Sequence, residues 1–289
     1  MPRDPKEVRW LRLMKAADAG KVALSELPAF PGIETDEPAW DPVEHPVGTL
    51  AVDGHLCRVE LLNQLKRGKE AAVYCCRATS AAGSSLIAVK RFIPILHRAF
   101  RRDTDYRVAK FSRTERRGRT RSEDTEEGQE VRLAEWVDRE FSTLQLLHAA
   151  GADVPRPLGR SGSHLLMEYL GDEDRVAPLL HHVRPPEPEA RVVFDRLLRN
   201  VRLFLSRHRV HGDLSAFNVL YHQGRPVVID FPQAVDPREN PAAEMLLQRD
   251  VENLCRWYAR SGGAADALGL STNLWSTYLA GRLGEGGVG

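Results

Sequence analysis

Three side chains set the chemistry this chain could perform: Asp213, Asn218 and Asp230, all within HGDLSAFNVLYHQGRPVVIDF, which runs from His211 to Phe231. Asp213 stands five positions before Asn218, and Asp230 follows a short apolar run, Val227-Val228-Ile229. An acid in a loop can orient an attacking hydroxyl, while an amide and a second acid at the end of a buried strand can hold magnesium against nucleotide phosphates. Taken singly, each fragment is compatible with turn punctuation, Gly212 breaking a helix and Asp230 ending a strand. Together, in this order and at this spacing, they point to phosphoryl transfer from ATP.

Such a site needs a strand lysine to hold phosphates and a helix carboxylate to hold the lysine. Leu86 to Lys90 reads LIAVK, an apolar strand closing on a cation. From about Val131 to His148 the helical period places Trp136, Val137, Leu144 and Leu147 on one stripe, and Glu140 falls on it too. A carboxylate on an apolar stripe is costly unless paired, and Lys90 is the expected partner. Upstream, RVELLNQLKRGKEAAVYCCRA predicts two strands around a turn at Arg67-Gly68-Lys69. Gly68 can supply positive φ, and the flanking amides and cations can face phosphates. The sequence of that hairpin is ordinary by itself. Its position directly before the lysine strand makes it the expected phosphate-covering loop.

GKEAAVY, AVK, HGDLSAFNVLY, IDFPQAVDP and the later QRDVENL resemble the RIO family of atypical serine/threonine protein kinases and ATPases, over about Val59 to Tyr258. Ser215 and Phe217 in DLSAFN and the FPQ after Asp230 separate the pattern from ordinary protein kinases and from small-molecule kinases that share HGD. The resemblance implies a two-lobed, protein-kinase-like α+β fold of RIO type. Its N-lobe would be an antiparallel sheet plus a helix, and its C-lobe mostly helical without an activation loop. ATP and Mg2+ are the implied cofactors. By matching motif, Asp213, Asp230 and Lys90 become the catalytic set, with Asp213 as acid/base, and Asn218 and Asp230 the metal ligands. Lys66, Arg67, Gly68, Lys69, Glu70 and Val73 would surround the phosphates, with Lys90 and its partner Glu140. Met167, Glu168, Tyr169 and Leu170 would form the adenine-binding hinge. The resemblance also suggests that Asp230 accepts phosphate. Lys66 and Arg67 stand where the family carries Ser-Thr, so cations would replace hydroxyl contacts to phosphate.

Asp250 lies on a second apolar stripe with Leu247, Val251, Leu254 and Trp257, where a buried acid can anchor the catalytic-loop backbone. Only twenty positions separate it from Asp230. That is too short for a long activation loop and a peptide-docking platform, and nothing between resembles an Ala-Pro-Glu anchor. Efficient phosphorylation of extended peptides is therefore not expected.

At 289 residues, with 42% hydrophobic and 28% charged, the chain can bury a core arranged as two lobes. Residues 1–53 read as a partly extended N-terminal segment with a short helix at VRWLRLMKAA and no winged-helix domain. Residues 54–168 form the expected N-lobe; the C-lobe runs from Tyr169 to about Gly262, with a glycine-rich tail to residue 289. Cys57, Cys75, Cys76 and Cys255 have neither metal-ligand nor disulfide spacing, no apolar run could span a bilayer, and a secretory pattern is absent, so a cytoplasmic protein is expected. The fifty positions between Lys90 and Glu140 exceed what a compact small lobe needs, which predicts an insertion near 98–130. Its arginines, with Phe100, Tyr106 and Phe111, suit RNA or a ribosomal particle; the acidic SEDTEEGQE beside them suits a solvated, self-neutralised loop. A protein substrate is the other partner implied. The oligomeric state is left open. Two alternatives stand beside the RIO reading: an aminoglycoside- or choline-type small-molecule phosphotransferase, and a nucleotide-gated binding module.

Overall fold

The computed structural model describes residues 47–68, 70–93, 126–172 and 175–284. In the N-lobe, strands β1 (Val47–Val52), β2 (His55–Arg67), β3 (Ala71–Ser80) and β4 (Gly83–Phe92) precede helix α1 (Glu126–Ala149). Strands β5 (Pro157–Ser161) and β6 (His164–Glu168) complete the lobe. The six strands form one sheet in the order β1-β2-β3-β4-β6-β5, with every neighbouring pair antiparallel. Side chains alternate across a strand, and the two faces do different work. Ala72, Tyr74 and Cys76 of β3 join Val59, Ile87, Val89 and Leu166 in a core on one face. The opposite face carries Val73, Ala88, Leu165 and Met167, which join a larger core with α1 and the C-lobe.

The sheet curls until its edges meet. The Asp53 amide donates to the Leu158 carbonyl, and a Cβ on Gly159 would stand 2.6 Å from the Ala51 carbonyl oxygen. Only glycine permits that approach of β5 to β1. Strand β1 therefore belongs to the N-lobe sheet although its residues lie within the stretch read from sequence as N-terminal extension.

The C-lobe contains α2 (Glu187–Ser206), the hairpin β7 (Val219–His222) and β8 (Arg225–Val228), α3 (Ala243–Ala259) and α4 (Ala267–Leu279). Helix α2 starts after Pro186, whose fixed φ suits a helix entrance, and buries Val193, Phe194, Leu197, Val201 and Phe204 at helical spacing. Phe194 stacks on Tyr258 of α3 with ring centroids 4.6 Å apart. Each such side chain, fully withdrawn from water, contributes about 1.5–3 kcal/mol relative to an exposed one. The chain continues as structure past Gly262: Leu274 of α4 is buried in the C-lobe core, and Tyr278 Oη meets His208 Nδ1 at 3.0 Å. From Asp230 the chain reaches α3 in one short run, held by the antiparallel bridge between Val210 and Val235. No activation loop intervenes. The architecture is a two-lobed, kinase-like α+β fold. The helix predicted near the N-terminus, most of the predicted insertion and Lys69 lie outside the described residues. No helix among the described residues is long and apolar enough to cross a membrane.

Candidate active site

Strand β4 carries Lys90 two residues before its end, with the aliphatic stem buried in the sheet face that looks toward α1. Its ammonium donates to both carboxylate oxygens of Glu140, at 2.8 and 2.9 Å, and to Asp230 Oδ1 at 2.6 Å. Lys90 and Glu140 are 6% and 2% exposed, so the pair is withdrawn from water. Burial alone would discharge the lysine, but the carboxylates of Glu140 and Asp230 more than offset that penalty and hold its pKa above the usual range. Burial also raises the Glu140 pKa against the pull of Lys90, with the charge of Asp230 acting in the same direction as burial. Two carboxylates around one ammonium leave the cleft net negative, an arrangement that a divalent cation would balance.

Asp230 follows β8 with φ of 71°, a left-handed backbone that costs energy outside glycine. The turn is held on both sides: Ile229 N–H donates to the Asn218 carbonyl at 2.9 Å, and Phe231 N–H donates to Glu140 Oε1 at 3.3 Å. The result aims a carboxylate with 35% side-chain exposure into the cleft. Burial disfavours its charge, but Lys90, and then Lys66 and His211, lower its pKa overall. Lys66, near the end of β2, is thus among the cations that act on the Asp230 carboxylate. Gly68 closes the hairpin by donating to the Ala71 carbonyl at 2.8 Å, without the positive φ available to glycine.

Asp213 is solvent-facing in the loop between α2 and β7, and Asn218 Nδ2 donates to its carbonyl at 2.9 Å and to Oδ2 at 3.3 Å. The loop hangs on α3. Asp250 accepts from Gly212 N–H and Leu214 N–H, both at 2.8 Å, and Asn253 Nδ2 donates to the Leu214 carbonyl at 2.8 Å. Burial pushes the Asp250 carboxyl up to about 7 despite the two amide donors. Gly212, with φ of 75°, lies where a Cβ would be 2.7 Å from the Gln233 carbonyl oxygen, so glycine is required.

Register groups the side chains on the sheet face that carries Lys90. Lys90 pairs with Val73 and Leu165, and Ala88 pairs with Cys75 and Met167, which puts Val73, Cys75, Ala88, Lys90 and Met167 on one sheet face. Cys75 also meets the Tyr169 side chain in the strand-to-lobe connection. Glu168 turns away: its Oε2 accepts from Arg156 N–H at 3.1 Å. Leu170 is buried, and its carbonyl accepts from Ala177 N–H at 2.8 Å. Glu70 continues the hairpin, its carbonyl accepting from Ile93 N–H at 2.9 Å. Arg67 closes β2 as an exposed side chain.

Sequence reasoning left Cys75 and Ala88 out, although stepping by two from Val73 and Lys90 reaches both. It also gave His211 no role. That imidazole is 2% exposed; its Nε2 lies 3.2 Å from the Ile229 carbonyl, and Asp213 N–H points to its Nδ1 at 3.3 Å. Burial lowers its pKa, so the neutral ring, with Nε2–H donating and Nδ1 accepting, bridges the two carboxylate-bearing loops.

A family model for the RIO domain matches residues 72–268, from β3 into α4. The chain belongs to the RIO family. The RIO-type serine/threonine-protein kinase Rio1 of Haloferax volcanii is 35% identical over 164 residues, which cover 57% of this chain and 53% of that protein. The chain thus spans about half the length of that relative. The Rio1 of Thermoplasma acidophilum is 32% identical over 131 residues, covering 45% of this chain and 67% of that one. The RIO fold is seen again in the crystal structure of the Rio2 kinase-ADP/Mg2+-phosphoaspartate complex from Chaetomium thermophilum. That match has a TM-score of 0.50 and 17% identity, covering 96% of this chain and 91% of the other.

Among the described residues no group of three or more His, Cys, Asp or Glu side chains could hold a metal by itself. The donor set here is one carboxylate and one amide. Hard oxygen donors in that number suit magnesium, which keeps waters and shares its remaining positions with substrate phosphates. The RIO site therefore fits a metal–nucleotide pair better than a resident metal.

Proposed function

We propose that this RIO protein is an ATP- and magnesium-dependent atypical serine/threonine kinase and ATPase. The observation that carries the reading is Lys90 held between Glu140 and Asp230, facing a loop in which Asn218 fixes Asp213. Bound with magnesium, ATP supplies the phosphoryl group and its leaving group. Lys90 would hold phosphate oxygens, and Asn218 and Asp230 would hold the metal. Asp213 orients the hydroxyl of serine or water and takes its proton as the new P–O bond forms and the bond to ADP breaks. The partly exposed Asp230 carboxylate would be the alternative acceptor: one of its oxygens would bond to phosphorus as the bond to ADP breaks, and water would then release phosphate from the acyl phosphate. This supports slow ATPase cycling. The absence of a long segment between Asp230 and α3 weighs against a roomy small-molecule pocket and against activation-loop switching.

The test uses labelled ATP. Asp213→Asn should keep nucleotide affinity and lower turnover by roughly 10²–10⁴-fold. Mass spectrometry then locates the label: a hydroxylamine-sensitive adduct on Asp230 supports the covalent branch, and label confined to serine or threonine removes it. Unchanged turnover in Asp213→Asn would overturn the assignment of the acid/base.

We also propose a cytoplasmic location, supported by four buried cysteines without disulfide bonds. Contact with RNA or a ribosomal particle through the arginine-dense insertion is proposed on its sequence alone.

A further inference from the structure

Phe217 sits in the turn that carries the active-site residues, one position before Asn218 and four after Asp213. Its neighbours Ala216 and Asn218 are buried, yet Phe217 is 50% exposed. One ring face stacks on the His181 imidazole, with centroids 3.7 Å apart and an interplanar angle of 23°. His181 is fixed in turn. It belongs to the short 3-10 turn Leu180–His182, where Trp257 Nε1 donates to the Leu180 carbonyl at 3.2 Å, and Tyr221 N–H donates to the Pro178 carbonyl at 2.8 Å just before it.

The rim of this aromatic pair is cationic. Arg260, just past α3, places Nη1 3.3 Å from His181 Nδ1, and the His182 ring meets His181 edge-on at 5.3 Å. Arg184 is exposed two residues beyond His182, and Arg256 is exposed one turn before Arg260. Partial burial lowers the pKa of His181, and so do the charges of Arg260, His182 and Arg184, all of one sign. Like charges gathered around a half-buried ring repel one another and are relieved by an anionic partner.

We propose that Phe217, His181, His182, Arg184 and Arg260 form a docking surface for a short acidic segment of the protein acceptor. The proposal rests on the kinase reading and adds the acceptor's chemistry. A protein acceptor is favoured over RNA because Phe217 lies on the same turn as Asp213, where the serine hydroxyl of the proposed reaction must arrive. Its small extent, one ring and a few cations, suits a short segment, in keeping with the missing platform between Asp230 and α3.

The test separates binding from catalysis. Fluorescent peptides carrying one serine flanked by glutamates, alanines or lysines are titrated into the full chain with ADP and magnesium at two salt concentrations. The glutamate peptide should bind at least about tenfold more tightly than the alanine peptide, with the difference reduced by salt. Arg260→Glu with Arg184→Glu should reverse the order in favour of the lysine peptide, and Phe217→Ala should weaken the glutamate peptide. Equal affinity for all three peptides, or an order unchanged by the charge reversal, overturns the proposal. Loss of RNA affinity on charge reversal with peptide order unchanged assigns the surface to RNA and likewise overturns it. ADP release from ATP is followed separately: its absence defeats the kinase reading, whereas its presence without peptide discrimination defeats only the docking surface.

Discussion

Lys90 shows how much of a site one residue can organise. Its ammonium is the shared partner of two carboxylates from different lobes, and Glu140 also accepts the Phe231 amide, so removing either member disturbs the loop that carries Asp230. Removing one partner of a buried pair leaves the other charge uncompensated, at about 3–5 kcal/mol. Lys90→Ala and Glu140→Ala should therefore each weaken nucleotide binding, and the double variant should lose much less than the sum of the two. Titration with a fluorescent ATP analogue across the four proteins measures the coupling; strictly additive losses would show that the pair does not act as one unit. His211 makes the complementary point. Its chemistry is fixed by two backbone groups, and no neighbouring residue type in the sequence indicates them.

At the scale of elements, the lobes are joined by Asp153, in the loop after α1. Its carboxylate, 3% exposed, receives Arg196 Nε and Nη2 at 2.8 Å each, Asn200 Nδ2 at 2.9 Å and Arg225 Nη2 at 2.9 Å. Its backbone accepts from Val228 N–H at 2.8 Å, two residues before Asp230. The network thus ties the helix of Glu140 to α2 and to the strand that delivers Asp230. Burial opposes the charge on Asp153, but Arg196, Asn200 and Arg225 prevail and hold its pKa at about 2, below the ordinary 3.8. A carboxyl whose folded pKa is depressed binds its proton more readily when unfolded. Its contribution is complete above the unfolded pKa and is lost as pH falls through the folded one. The shift corresponds to about 2 kcal/mol. Urea unfolding should therefore show stability falling from about pH 4 toward pH 2, and Asp153→Asn should flatten that part of the profile while lowering stability at neutral pH. A profile unchanged by the substitution would assign the acid loss to other carboxylates. Arg196→Ala should also lower stability at neutral pH, because it strips two hydrogen bonds from a buried charge.

For the whole molecule, a formal charge of +1 conceals an arginine-dense insertion followed by an acidic run. If the insertion contacts RNA, replacing Arg113, Arg116, Arg117 and Arg119 with serine should lower RNA affinity and flatten its salt dependence, because fewer counterions are released. An unchanged slope would favour a self-neutralised loop. The sequence alone determined the local features whose signal lies within a few residues: the HGD and IDF motifs, the lysine-bearing strand, the Glu140 stripe, and the brevity of the chain between Asp230 and Asp250. Those follow from periodicity and spacing, which the chain carries in one dimension. Tertiary structure decided what depends on distant segments meeting. It brought β1 into the sheet against β5, packed α4 onto the C-lobe, and gathered Asp153, Arg196 and Arg225 from three separate elements. It also set His181 against Phe217. A buried ion pair or a ring stack has no sequence period, because its partners are chosen by the closure of the fold; only the folded chain supplies the distances that make them a site.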